Sequence, residues 1–251
     1  MPAPGMRYEH IGHGYANRRR EDPLLKHLIQ DALNDVNSIV NVGAGAGSYE
    51  PVDRDVLAVE PSAVMVAQRP PGSAPAIRAV ADRLPLADDS VDAAMTILSL
   101  HHWHPYQQAG VMEMRRVARH KVIIVTVDPD VSGRMWLMAD YLREVADLDH
   151  RIFPTPSTIA GWLGKAADIR IVPISRDTPD GTLMSFWAHP ERVLDAEARN
   201  VTSGFARQPA QVIERVVNAV SRDLDNGDWD RRHGHLRELK EFDAGLRLIV
   251  A

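Results

Sequence analysis

The sequence predicts an α/β fold, a mostly parallel sheet covered on both faces by helices. Three observations lead there. Short β-branched runs recur along the first half of the chain, separated by segments with helical spacing. One run passes directly into a glycine loop, in "SIVNVGAGAGSYE" (38–50). The order strand, helix, strand requires right-handed crossovers and therefore parallel pairing.

The elements follow in order. Leu24, Leu25, Leu28, Ile29, Ala32 and Leu33 recur at helical spacing and predict a helix over about 23–35. "SIVNV" (38–42) reads as a short buried strand, "VLAVE" (56–60) as a second and "AIRAV" (76–80) as a weaker third. "VDAAMTIL" (91–98) and "KVIIVTVD" (121–128) are the fourth and fifth. Between those two, Val111, Met114, Val117 and Ala118 mark an amphipathic helix with Arg115, Arg116 and Arg119 on its wet side. After Asp128 the rhythm changes. A helix is expected near 133–148, a strand over 168–175, a strongly amphipathic helix at about 209–225 and a closing strand in "GLRLIVA" (245–251). One α/β domain with helical insertions capping its open edge accounts for this plan.

Composition narrows the function classes. The chain has 251 residues, 45% hydrophobic and 25% charged, enough for a full core. Its net charge of −5 argues against broad nucleic-acid binding. It has no cysteine, which removes disulfides, thiolate metal sites and cysteine nucleophiles. The first residues, "MPAPGMRYEHIGHGY", show no apolar signal-peptide core, and no apolar stretch approaches the ~20 residues needed to cross a bilayer. A cytoplasmic protein with no membrane partner is expected. Oligomeric state is left open.

The glycines carry the chemistry. In open α/β sheets, ligands bind at the carboxyl ends of strands, and a glycine loop lets them approach the backbone. Glu60 ends the next strand, where a carboxylate can accept hydrogen bonds from both ribose hydroxyls. A nucleoside with a tail over the loop is therefore expected. The dinucleotide pattern G-x-G-x-x-G needs glycine at 48, where Ser48 stands; Gly43, Gly45 and Gly47 spell G-x-G-x-G instead, without the Lys-Ser/Thr ending of a phosphate loop.

At this point the sequence resembles the class I S-adenosylmethionine-dependent methyltransferases, in the small-molecule group called methyltransferase type 11. "VNVGAGAG" looks like the family's first motif, V-D-V-G-x-G-x-G. "VLAVEPSAVM" resembles the second, and "AVADRLPLADDSVDAAMTILSLHHW" is similar to the third. The resemblance covers about residues 24–128. It implies a Rossmann-like sheet of seven strands, the last antiparallel and inserted beside the sixth. It divides the chain into an N-terminal lid (1–22) and a single methyltransferase domain (23–251). The domain comprises a cofactor core (23–128), substrate-side insertions (about 129–165 and 176–240) and the closing strand. It implies S-adenosyl-L-methionine as cofactor, held by Asn41, Gly43, Ala44, Gly45, Gly47, Glu60, Pro61, Met65, Ala81, Asp82 and Leu98. From the N-terminal segment it adds Tyr15 and Arg19, the latter suited to a carboxylate. Two residues depart from the pattern: Asn41 replaces the commoner acid, and Val80 a frequent aspartate.

"HHWH" (101–104) follows the fourth strand, where the methyl group should project. His101 is the candidate general base, ahead of His102. A cap for the next helix, with Pro105 in its first turn, is the competing reading. No metal site is expected. Met135, Trp136, Met138 and Tyr141 are either pocket lining or core; Trp162, Trp187 and Trp229 are read as packing. The expected activity is methyl transfer to a small organic acceptor (on O, N or C). A tRNA or protein methyltransferase and a non-catalytic binder of the cofactor or of S-adenosylhomocysteine remain as alternatives.

Overall fold

In the computed structural model, residues 20–164 and 167–251 are described. The chain begins with α1 (Pro23–Ala32), β1 (Ser38–Val42), β2 (Asp55–Val59), α2 (Ala63–Ala67) and β3 (Ala76–Ile77). There follow β4 (Val91–Ile97), α3 (Gln107–Val117) and β5 (Ala118–Val127). The cap and closing elements include α4 (Arg143–Ile152), α5 (Pro156–Leu163), β6 (Asp168–Ile171), β7 (Ile174–Ser175), α6 (Ala210–Asp225), β8 (Glu241–Phe242) and β9 (Leu246–Val250). Seven strands form one sheet in the order β3-β2-β1-β4-β5-β9-β6. β9 runs antiparallel to both β5 and β6, and the remaining pairs are parallel. The sheet is the expected one, last strand included.

Strand residues alternate between two cores. Ile39, Met95 and Ile123 pack with Leu25, Ile29 and Leu33 on one face. Val40, Ala94 and Ile124 pack with Val111 and Met114 of α3 and with Ile159 and Leu163 of α5 on the other. Strand order reverses between β1 and β4, so their crossovers diverge and leave a crevice at their carboxyl ends.

Three expectations are corrected. The third strand is only Ala76–Ile77. The run 168–175 is two strands in two sheets: β6 joins the main sheet, while β7 pairs with β8. Pro173 lies between them and has no N–H for a ladder. The helix expected over 133–148 is interrupted. Leu142, at φ −125° and ψ 53°, separates α4 from a π-helical turn, Leu137–Tyr141. The cause is packing. Trp136 and Tyr141 are five residues apart, roughly 140° around an α-helix, yet their rings meet edge to face at 5.7 Å. A wider turn brings both inward. There the Trp136 Nε1–H donates to Trp187 O (2.9 Å) and the Tyr141 hydroxyl to Asp223 (2.8 Å). The two insertions thereby form one cap. Trp187 and Trp229 are wholly buried, as the packing reading requires. Among the described residues, no helix is long and apolar enough to cross a membrane.

The entry to α1 ties sheet to cap. Asp22 Oδ1 accepts from Leu24 N (3.0 Å) and Leu25 N (3.1 Å), a helix N-cap with Pro23 next in line. Its other oxygen accepts from the Thr178 hydroxyl at 2.6 Å. Asp22→Ala removes both functions. A loss of at least the ~0.5–2 kcal/mol of a missing cap is expected, read as a lower urea midpoint at unchanged slope.

Candidate active site

The loop after β1 is built on left-handed backbone: Gly43, Gly45 and Gly47 have φ of +70°, +53° and +93°. Gly43 is also pressed against the end of β4. A Cβ there would lie 1.9 Å from Ser99 Oγ and 3.3 Å from Trp103 Nε1. The loop amides are largely spent on the turn itself, since Gly43 N and Ala44 N both donate to Val59 O (2.8 and 3.1 Å). Glu60 is buried at the end of β2. Its carboxylate accepts from Gly45 N and from Ser62 N, each at 2.9 Å. Burial raises its pKa above the ordinary carboxylate value, against those two hydrogen bonds. Each oxygen keeps a lone pair for a further donor. Pro61 follows Glu60, and the terminal methyl of Met65 would stand 3.3 Å from a Cβ on Gly45.

Asn41 is 2% exposed and donates through Nδ2 to Glu50 Oε1 at 2.9 Å. Glu50 in turn pairs with Arg69 at 2.6 Å, and Arg69 donates to Ala74 O. A carboxylate therefore stands beside the position where the first motif has lost one. Asn41 Oδ1 is buried with no hydrogen-bond partner among the described residues. Such an orphan acceptor wants a donor, so the loop, Glu60 and Asn41 fit a nucleoside with a cationic amine tail.

Across the crevice, Leu98 leaves β4 in left-handed backbone (φ +51°) with its N–H on Val125 O. Leu100–Trp103 then form a 3-10 turn, and α3 starts only at Gln107. Pro105 therefore precedes the helix rather than opening it. Trp103 wedges between the glycine loop and Gly110, where a Cβ would meet its ring at 2.6 Å. Ala81 is buried in the same cluster, with Asp82 half-buried after it.

His101 is buried and stacks on Phe153, ring centroids 4.4 Å apart. Both rings line a cavity of about 100 Å³. It is walled by Leu98 and His102 from the end of β4, by Val145, Leu148 and Asp149 of α4, and by 182–184 and 201–207 of the second insertion. Of the four residues weighed as pocket lining, Met138 reaches the cavity; Met135, Trp136 and Tyr141 are core. Asp149 is the unforeseen acid here. Burial pushes it up to about 7, opposed by Arg207 and His150. Its signal was its place among apolar residues at helical spacing, Val145, Leu148 and Ile152. Tyr15 and Arg19 lie outside the described residues. No group of three histidines or acids able to hold a metal occurs among the described residues.

A seven-stranded sheet with its last strand reversed, a glycine loop at the switch point and an acid ending β2 define the class I S-adenosylmethionine-dependent methyltransferases. The comparisons with known proteins agree. Residues 40–126 match the family model described as a methyltransferase domain. A protein of Anabaena variabilis assigned to methyl transfer in an antibiotic biosynthesis pathway superimposes with a TM-score of 0.84 at 29% identity, over 93% of this chain and 98% of that one. An S-adenosylmethionine-dependent methyltransferase of Thermotoga maritima matches with 0.52 at 17% identity, over 66% of this chain and 84% of the other. A phosphoethanolamine N-methyltransferase of Haemonchus contortus, solved with S-adenosylhomocysteine, matches with 0.51 at 11%, over 90% of this chain and 51% of the other. Those last two show the fold alone. No curated protein matches the chain. The match over residues 40–126 and the superposition support an S-adenosylmethionine-dependent methyltransferase of the type 11 group.

Two outcomes follow from this geometry. Gly43→Ala meets both a positive φ and Ser99, so it should cost about 1–3 kcal/mol of stability. Adding Ser99→Gly should recover part of the loss in chemical denaturation, because only the steric share is relieved. Asp149 sets a pH trend. Its folded pKa, about 7, lies above the ordinary aspartate value of 3.8, so the folded state binds the extra proton between them. Stability from this group is complete below that window and is lost as pH rises through about 7. Asp149→Asn should flatten the fall in melting temperature between pH 5 and 8 relative to wild type.

Proposed function

We propose that the enzyme transfers the methyl group of S-adenosylmethionine to a small organic acceptor seated in the cavity beside Leu98 and His101. One observation carries the reading. The cavity adjoins the cofactor crevice at the end of β4, and both insertions contribute to its walls. Its size suits a small molecule better than a nucleic acid or protein segment. The relation to the Anabaena variabilis protein, assigned to antibiotic biosynthesis, supports a small metabolite as acceptor.

In this reading the glycine loop, Ala44, Pro61 and Met65 shape the cofactor crevice, Glu60 accepts from the ribose, and Asn41 with Glu50 faces the amine. Ala81, Asp82 and Leu98 border the base and the methyl end. When bound, the cofactor supplies an electrophilic methyl on a sulfonium sulfur. The chain's own work is positioning, exclusion of water and handling a proton. His101 is held flat on Phe153 and faces the cavity, a geometry that suits removal of a proton from the acceptor nucleophile. Residues 1–22 act as a lid in this scheme, with Tyr15 and Arg19 over the cofactor. Its root is fastened to the loop after the glycines: Tyr49 N donates to Glu21 Oε1, and Asp22 N donates to the Tyr49 hydroxyl at 2.9 Å.

Release of S-adenosylhomocysteine, followed across a panel of phenols and amines, tests the reading directly. His101→Ala should lower turnover by roughly a hundredfold with cofactor affinity held within a few-fold. It should also lose the acid limb that an imidazole base imposes on the pH profile. Full turnover in the variant would mean that positioning alone suffices. No turnover with any acceptor, alongside tight binding of S-adenosylhomocysteine, would favour a binding protein.

A further inference from the structure

Helix α4 places Val145, Leu148, Asp149 and Ile152 on one stripe, and the first three of these line the cavity. A carboxylate on an otherwise apolar, inward-facing stripe is costly unless something compensates it. The described residues supply no direct partner. The Asp149 side chain forms no hydrogen bond or ion pair with a described residue, and the two cations near it act only through space. His150, the first, is turned away to Asp130 (3.2 Å) and to Ala146 O (2.8 Å). Arg207, the second, lines the same cavity and makes a further interaction of its own. His101 and His102 complete the ionisable wall, and Phe153, Leu148, Met138 and Leu183 make up much of the rest.

We propose that Asp149 is the anchor for a protonated amine, and that the acceptor is a small apolar amine. Its ammonium group sits on Asp149 and its body lies against Phe153 and Met138. This rests on the cavity being the acceptor site. A cation is the ligand that this wall rewards most. It supplies the N–H donors the carboxylate lacks and restores the charge that burial disfavours. A neutral donor supplies only the first, and an anion supplies neither. Phe153 adds a ring face, which attracts a cation and repels an anion.

Three ligands with one ring and three charges separate these cases: tyramine, p-cresol and 4-hydroxyphenylacetate. Each is titrated calorimetrically into the full chain saturated with S-adenosylhomocysteine. Tyramine should bind at least about tenfold tighter than p-cresol, the scale of a hydrogen bond to a charged group, with 4-hydroxyphenylacetate weakest. Near pH 7, tyramine binding should release protons from the carboxyl, seen as a dependence of the heat on buffer ionisation. In Asp149→Asn the preference and the proton release should vanish, with p-cresol and S-adenosylhomocysteine affinities unchanged; Asp149→Glu should restore the preference. Equal binding of tyramine and p-cresol by the wild type, or tighter binding of the anion, overturns the proposal without reference to any variant. A preference that survives Asp149→Asn overturns it too. Failure to bind S-adenosylhomocysteine would instead strike the methyltransferase reading, so the two fail separately.

Discussion

The contact on which the site depends is the approach of Gly43 to Ser99. The end of β1 and the end of β4 come so close that no side chain fits between them. That closeness lets Trp103 seat its indole against the loop and brings α3 near enough to require a second glycine, Gly110. It also turns Leu98 into left-handed backbone. A leucine held there costs energy. It leads the chain from the sheet directly to the wall shared by the cofactor crevice and the cavity proposed for the acceptor.

Charge is distributed around this contact with similar economy. The first motif has an uncharged amide at Asn41, and the carboxylate that would stand there comes from Glu50 on the far side of the loop. Glu50 is nearly buried, and a lone buried charge would be prohibitive. Arg69 neutralises it, and each member makes a further hydrogen bond, to Asn41 or to Ala74 O. The pair therefore staples the glycine loop to the segment before β3. Across the crevice the opposite choice is made: among the described residues Asp149 has no such direct partner, only the through-space effect of Arg207 and His150.

Much of this was legible in the residues. Parallel strands buried on both faces read as β-branched runs, so β1, β4 and β5 stood out, and the glycine loop with Glu60 followed from spacing. The position of β9 came from the family resemblance rather than from periodicity. What escaped detection escaped for identifiable reasons. The π-helical turn exists because Trp136 and Tyr141 both pack inward, a tertiary demand that no local propensity encodes. The break at Pro173 follows from its missing N–H, which the strand reading of 168–175 left out of account. Glu50 meets Asn41 only once the loop has closed. Asp149 is a single acid within an apolar stripe, and the segments 182–184 and 201–207 that complete its cavity are irregular turns without periodicity.

The reversed strand β9 has a consequence for how the molecule comes into being. Among the described residues β6 has no neighbour in the main sheet except β9, and β9 joins by pairing Val250 with Ile123, across most of the second half of the chain. Such distant closures are slow because a long loop must be ordered first. β1 to β5 need no such wait; their contacts are made within the first half. The strands that border the nucleoside crevice are thus synthesised before the segments that wall the cavity proposed for the acceptor. Binding of the cofactor at that stage would stabilise an unfinished protein before the walls that confer selectivity exist.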